Sequence, residues 1–236
     1  MYTISAQVKA EEFVEALQRF PVLDRVFNPW RDVDLANDLS PQSPVVRAEQ
    51  LVRYLSERID VAEKVLIAEA PGYQGCHFSG IAMTSERILL GHQIHNGVSP
   101  NDVFMGAATK TSKHVKNGAN EPTATVVWKA IKASGANTRK IVLWNSFAFH
   151  PMKSGYLTNR KPTLQELRQA LYLLEHFLSL FPKASRIPVG RVAEAKLGSF
   201  GIACAPYVRH PANGGATEFR FGMDAHWKVV CSERNP

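Results

Sequence analysis

Four short apolar runs, separated by segments of helical spacing, constrain this chain more than any other feature. The runs cover residues 64–68, 140–145, 188–193 and 201–208 and are rich in Val, Ile and Leu without strict alternation. A strand with one wet face alternates polar and apolar residues, whereas a strand covered on both faces reads as continuous apolar sequence. Between the runs, Leu164, Leu167, Leu171, Leu174, Leu178 and Phe181 recur at spacings of three and four, which predicts a helix over residues 163–181. Thr163 with Glu166 forms its capping box, and Pro182 marks its stop. A second helix is expected from Ser43 as N-cap, with Pro44 in its first turn and Val45, Ala48, Leu51, Leu55 and Ile59 on one face. A third, over 123–133, follows Pro122 and ends near Gly135. Strands alternating with helices predict an α/β fold, a three-layer sandwich with a central, mostly parallel four-stranded sheet flanked by helices. Ligands of such sheets bind at the carboxyl ends of the strands.

The chain has 236 residues, 45% of them apolar and 21% charged, which fits one domain over 1–236 with a full core. Its first forty residues, with Phe20, Phe27 and Trp30 among prolines and acids, read as a helix and an irregular wrap. Lys and Arg number 28 against 21 Asp and Glu, for a net charge of +7 spread along the chain. A diffuse basic surface suits a polyanion such as DNA, though charge alone fits equally a soluble protein that happens to be basic. The basic loop of Lys110, Lys113, His114 and Lys116 is read as a solvated face.

Three widely spaced cysteines, Cys76, Cys204 and Cys231, with no CxxC pair, argue against a disulfide framework, a thiolate metal site or an iron–sulfur cluster. Cys76 is expected to be a buried, inert thiol. Residues 1–13 lack the apolar core of a signal peptide and no stretch approaches 18 apolar residues, so the expected location is the cytoplasm, with no membrane contact.

The polar residues at the ends of the apolar runs carry the chemistry. The first run leads into Glu69, Ala70, Pro71, Gly72, Tyr73, Gln74, Gly75, Cys76, His77, Phe78, Ser79 and Gly80, which places a carboxylate, exposed backbone amides and aromatic rings in one loop. It has neither the GxxxxGK nor the GxGxxG spacing of a phosphate or dinucleotide site, and alone it reads as well as a plain strand-to-helix connection. The second run ends on Asn145. One amide edge offers a donor and an acceptor, a match for uracil N3–H and O4 and a mismatch for cytosine; taken alone, an Asn there also serves as a loop cap. The fourth run leads to Arg209, His210, Pro211, Ala212, Asn213, Gly214 and Gly215, where a His donor can face charge developing on a leaving group. Each signal has a bland reading; Glu69, Asn145 and His210 on three strand ends point together to a site.

These residues resemble those of the uracil-DNA glycosylase superfamily. The run 69–80 resembles its EAPG motif and the following G-x-P-F-V-G, Asn145 matches its uracil-reading Asn, and 210–212 is similar to its HPS motif. His150-Pro151 with Asn159, Arg160, Pro162 and Thr163 is similar to a segment of the iron–sulfur branch. The resemblance covers residues 64–215, with the motifs in order. The chain departs from it at His77 for Pro, Met83 for Gly, Ala212 for Ser, and Ala70 where the best-known uracil-specific branch has Asp. Gly72 stands where that branch uses a bulky Tyr to exclude thymine, a loss that Tyr73 partly offsets. The four cluster cysteines are missing, so no cofactor is expected.

The resemblance implies a monofunctional enzyme that flips uracil out of single- or double-stranded DNA and hydrolyses its N-glycosidic bond, initiating base excision repair as a monomer. It leaves open whether other deaminated bases are removed as well. It implies Glu69 and His210 as catalytic residues, with Ala70, Gly72, Tyr73, Phe78 and Asn145 around the base. Arg209, Asn213 and Gly214 are the implied DNA contacts. The rival on the same fold is a protein that holds uracil-bearing or abasic DNA without turnover, as one branch does through a KRRIH-type loop. The corresponding residues 152–161 contain no His, which favours turnover. Hydrolases of another class fit less well, since there is neither a GxSxG elbow nor an Asp-rich calcium site.

Overall fold

The structure is a computed structural model that describes residues 5–232. Helix α1 (Ala6–Gln18) is capped by the Ser5 hydroxyl and buries Ala10, Phe13, Val14 and Leu17. The expected wrap follows. Its Phe20 stacks on Phe149 with centroids 4.5 Å apart, and the Trp30 indole N–H donates to the Gly80 carbonyl at 3.0 Å. Within the wrap, the short strand β1 (Val26–Phe27) pairs antiparallel with β4 (His150–Pro151), tying the N-terminal segment to the chain just beyond Asn145.

Helix α2 (Ser43–Ser56) differs from expectation at its cap: Gln42 occupies the N-cap without a side-chain cap bond, and Ser43 is already helical, with Pro44 in the first turn. Of its expected apolar face, Ala48, Leu51 and Leu55 are buried, while Val45 is exposed. Strand β2 (Lys64–Ala68) is buried at every position, as the continuous apolar run after Lys64 suits. It lies between β3 (Ile141–Asn145) and β5 (Ser185–Pro188), parallel to both.

The sheet is therefore three-stranded, not four-stranded, and two of the expected strands are displaced. The run 188–193 ends a strand instead of forming one: Gly190 adopts φ 91°, outside the extended region, and Arg191 opens helix α8 (Arg191–Ser199). The strand precedes it, in residues whose polar Ser185 and Arg186 concealed it. The run 201–208 follows the edge of β5 but contributes only the Val189–Val208 bridge. Pro206 has no N–H to donate, and the backbone bonds that join this segment to β5 and its end are Ala205 N–H on Arg186 O, Val208 N–H on Pro188 O and Gly190 N–H on Val208 O.

Helices flank the sheet. Three short helices, α3 (Cys76–Ser79), α4 (Glu86–Leu89) and α5 (Pro100–Val103), lie in the connection after β2. Helix α6 (Pro122–Ala133) starts on its proline. Helix α7 (Leu164–Ser179) carries the expected capping box, both halves formed between Thr163 and Glu166. Helix α9 (Ala216–Ser232) ends the described chain. No helix among the described residues is long and apolar enough to cross a membrane.

Candidate functional site

Parallel pairing sets Ala68 opposite Asn145, so the carboxyl ends of β2 and β3 stop at the same level. Three bonds lock them there: Ser146 N–H on Ala68 O at 2.8 Å, Phe147 N–H on Glu69 O at 3.0 Å, and the Ser146 hydroxyl on Glu69 O at 2.8 Å. On the other side of β2, the Val189–Val208 bridge delivers His210 to the same end of the sheet. Gly190 makes room for it, because a Cβ there would lie 3.1 Å from His210 Cβ and the backbone is in the region that L side chains rarely adopt. Asn145, His210 and the Ala70–Gly72 turn thus line one cavity of about 30 Å³.

The protonation of His210 follows from its hydrogen bonding. Ala212 N–H donates to Nδ1 at 3.1 Å, so Nδ1 is the bare nitrogen and the proton sits on Nε2. Burial, reinforced by the charge of Arg209, lowers its pKa below the ordinary imidazole value. His210 is consequently a neutral Nε2–H donor at neutral pH. Asn145 is buried at 3% exposure, and among the described residues its side-chain amide has no hydrogen-bond partner; the loop that follows is held instead by the Ser146 hydroxyl.

Glu69 does not line that cavity. It faces a more open cleft of about 480 Å³ on the other side of the Ala70–Gly72 turn, shared with Lys153, Asn159, Arg160 and Lys161. Its Oε1 is sealed from solvent and has no hydrogen-bond partner. Arg160 is held by Glu166 at 2.6 Å, which leaves the exposed Lys153 and Lys161 as the cations turned to solvent around the cleft. The turn Ala70–Gly72 is common to both spaces and lies between an acid on one side and an amide and imidazole on the other.

A chain of hydrogen bonds that runs from the exposed Asn159 into the interior supports this turn from behind. Tyr73 N–H donates to Asn159 Oδ1 at 3.1 Å, and His150 Nε2 lies 2.9 Å from Thr158 O and 3.1 Å from the same Asn159 oxygen. Two acceptors require His150 to carry its proton on Nε2. Burial first, and the neighbouring His77 second, push its pKa down to about 4, so its Nδ1 is bare. His77 Nδ1 lies 3.1 Å from His150 Nδ1, and its Nε2 meets Asp34 Oδ2 at 3.2 Å. One proton must lie in that last contact, since two facing lone pairs in a dry interior repel. Burial lowers the pKa of His77, and its hydrogen bond to Asp34 opposes that effect. The Asp34 carboxyl is held below its ordinary range, against the effect of burial, by His77 and Asn37. The proton therefore belongs on the imidazole.

The other expected residues are placed as follows. Tyr73 is half-buried and reaches neither space with its side chain, and Phe78 is buried with its ring 4.6 Å from that of His77, outside the residues that line the small cavity. Arg209, Asn213 and Gly214 are exposed beside His210; Asn213 and Gly214 both take positive φ, 53° and 78°, forming a tight projecting turn. Cys76 is buried at the cavity wall, and burial pushes its thiol pKa up. Met83, also at the wall, has φ 48°, the physical reason a Gly suits that place. The lysine loop 110–116 has Lys113, His114 and Lys116 exposed, and His114 bonds Ala36 O at 2.8 Å.

Two features escaped sequence reasoning. One is the Asp34–His77–His150–Asn159 chain, whose members lie far apart in sequence. The other is Glu121, which lines the small cavity beside Asn145 and His210. An acid just before Pro122 at a helix start reads as an N-cap, but it makes no cap bond. The iron–sulfur group of the resembling branch does not fit these residues: the chain has three cysteines, Cys76 and Cys204 are free thiols, and no cluster of three or more His, Cys, Asp or Glu among the described residues could hold a metal.

No family model matches the chain, and no curated protein matches it in sequence. Among solved structures it is similar to the crystal structure of wild-type SMUG2 from Pedobacter heparinus, with a TM-score of 0.59 and 13% identity over 99% of this chain and 100% of the other. At that identity the likeness establishes a shared fold along the whole chain.

Proposed function

We propose that this chain is a monofunctional DNA glycosylase that hydrolyses the N-glycosidic bond of uracil, and of related deaminated bases, in DNA. One observation carries the reading: a neutral imidazole fixed as an Nε2–H donor and a buried, uncommitted amide share a cavity at the strand ends. The fold shared with SMUG2, a protein of the uracil-DNA glycosylase superfamily, and the motif order of residues 64–215 support it. The net charge of +7 and the lysines at the cleft suit a polyanionic substrate.

In this reading Asn145 pairs with N3–H and O4 of the flipped base and disfavours cytosine. As the C1′–N1 bond breaks, its electron pair leaves with the base. His210 Nε2–H donates to the O2 that becomes anionic, and a neutral donor can do so without first losing a proton. A donor aimed at developing charge typically contributes about 10² to 10³-fold in rate. Glu69, in the cleft on the sugar side, stabilises the positive charge left on the sugar and takes the proton of the water that attacks C1′, giving an abasic site and free base. Arg209, the Asn213–Gly214 turn, Lys153 and Lys161 contact phosphates, and the projecting turn fills the gap in the duplex. A volume of 30 Å³ is about one water's share of liquid, so a base enters only as the Ala70–Gly72 turn and Met83 give way.

The test is incubation of the purified chain with single- and double-stranded oligonucleotides bearing one uracil, beside His210→Ala, scoring alkali-labile sites. Product from the wild type and at least about tenfold less from the variant supports the assignment. Retention of uracil-bearing or abasic DNA without product favours the non-turnover reading and removes Glu69 from catalysis.

A further inference from the structure

Glu121 lines the base cavity, yet the hydrolysis described above gives it no part. It occupies the N-cap position of α6 but makes no cap bond; its carboxylate turns inward instead. Oε1 accepts from the Thr123 hydroxyl at 3.0 Å, while Oε2 is sealed from solvent and has no partner. The residue opposite is Gly75, and a Cβ there would overlap Oε2 unless the Glu121 side chain moved. None of the ion pairs among the described residues includes Glu121, and a lone buried carboxylate is costly. The titratable groups that line the cavity with it are Cys76 from α3 and His210 from the 209–215 turn. Burial raises the pKa of the first and lowers that of the second, so both face it uncharged.

We infer that Glu121 is a base-contacting, specificity-determining residue that enters the productive complex as the neutral acid and donates a hydrogen bond from Oε2 to the carbonyl oxygen that deamination creates on the flipped base, on the lone pair that Asn145 leaves free. Deamination replaces an amino donor on a base with a carbonyl acceptor. A neutral acid therefore selects deaminated bases as a class, whereas an ionised carboxylate would favour the amino group and set a negative charge against the departing anion. Burial also raises its pKa to about 7, so the acid form is populated in the physiological range. The inference rests on the glycosylase reading for its substrate.

Single-turnover cleavage of the uracil oligonucleotide between pH 6 and 8.5 tests it with wild type, Glu121→Gln and Glu121→Ala. The same oligonucleotide bearing a non-cleavable 2′-fluoro uracil nucleotide gives binding. The wild-type rate should fall about tenfold per pH unit above about 7. Glu121→Gln keeps an N–H donor at every pH, because the Thr123 hydroxyl holds its carbonyl side, and should lose that limb. Glu121→Ala should be at least about tenfold slower than wild type at pH 6 and flat, the expected cost of one lost donor. Superimposable wild-type and Glu121→Gln profiles, or a Glu121→Ala rate equal to wild type at pH 6, overturn the inference. If the wild type makes no product at any pH, the hydrolysis reading fails by itself. Uracil-dependent binding that weakens above pH 7 in wild type but not in Glu121→Gln then still supports the contact. Binding that is independent of pH, or none that depends on uracil, overturns it.

Discussion

Glu121→Gln should also change the stability of the free protein, with a sign and a pH window fixed by the structure. Burial raises the folded-state pKa of Glu121 from 4.5 to about 7. Between those values the folded chain binds more protons than the unfolded chain, so stability falls as pH rises through the window. Each tenfold difference in proton affinity between the two states is worth about 1.36 kcal/mol. The wild type therefore loses about 3 kcal/mol at pH 8, about 2 at pH 6 and under about 1 at pH 5, relative to a side chain that never ionises. Glutamine is that side chain. It places an N–H where the neutral acid places an O–H, so the packing difference between the two proteins is nearly constant with pH. Urea unfolding at pH 5, 6, 7 and 8 should therefore show Glu121→Gln gaining on wild type by about 2 kcal/mol or more from pH 5 to pH 8. In a chain of this size each kcal/mol moves the Tm by about 2–4 °C, so thermal melts resolve the effect as well. A stability difference independent of pH would refute the reasoning, because it would mean that the carboxylate is solvated in the folded state. This measurement needs no DNA.

His150 should act in the opposite direction. Its folded pKa of about 4 lies below the ordinary 6.5, so its contribution is complete above about 6.5 and is lost as pH falls toward 4, amounting to about 2 kcal/mol at pH 5. In wild type this loss is masked by Glu121; in Glu121→Gln it is exposed, and that variant should be about 2 kcal/mol less stable at pH 5 than at pH 7.5 by urea titration. Lys153→Ala and Lys161→Ala should each weaken binding to uracil-bearing and ordinary duplex alike, and each should reduce the slope of log K against log salt by about 0.9; an unchanged slope removes these lysines from the phosphate path. Met83→Gly relieves left-handed strain of about 1 kcal/mol but forfeits about 2 kcal/mol of buried side chain, a net loss of about 1 kcal/mol in urea unfolding. The same change widens the cavity and should speed cleavage of bulkier deaminated purines relative to uracil in competition assays.

Local sequence settled much of this architecture. The runs 64–68 and 140–145, whose middle positions are all apolar, specified buried parallel strands because those positions suit cover on both faces, and the Thr163–Glu166 box and Pro122 specified helix starts through local hydrogen bonding and a fixed φ. Strand-end logic then picked out Glu69, Asn145 and His210 without reference to contacts. Local sequence misread the third strand and the edge beside it, because a hydrophobic run is compatible with extended backbone yet says nothing of whether its amides find a partner. Gly190 and Pro206 decided that, one by its φ and the other by its missing donor. Tertiary structure alone decided how the strand ends divide: Glu69 in an open cleft, Asn145 and His210 in a smaller, narrower cavity, with the Ala70–Gly72 turn as the shared wall. It alone fixed the His210 tautomer through Ala212 and assembled Asp34, His77, His150 and Asn159 behind Tyr73. Glu121 shows the division most clearly. Its sequence position gives a cap; its chemistry comes from Gly75, 46 positions away along the sequence, and from a burial that no local pattern encodes, since desolvation depends on everything that packs around a group and not on its neighbours in the chain.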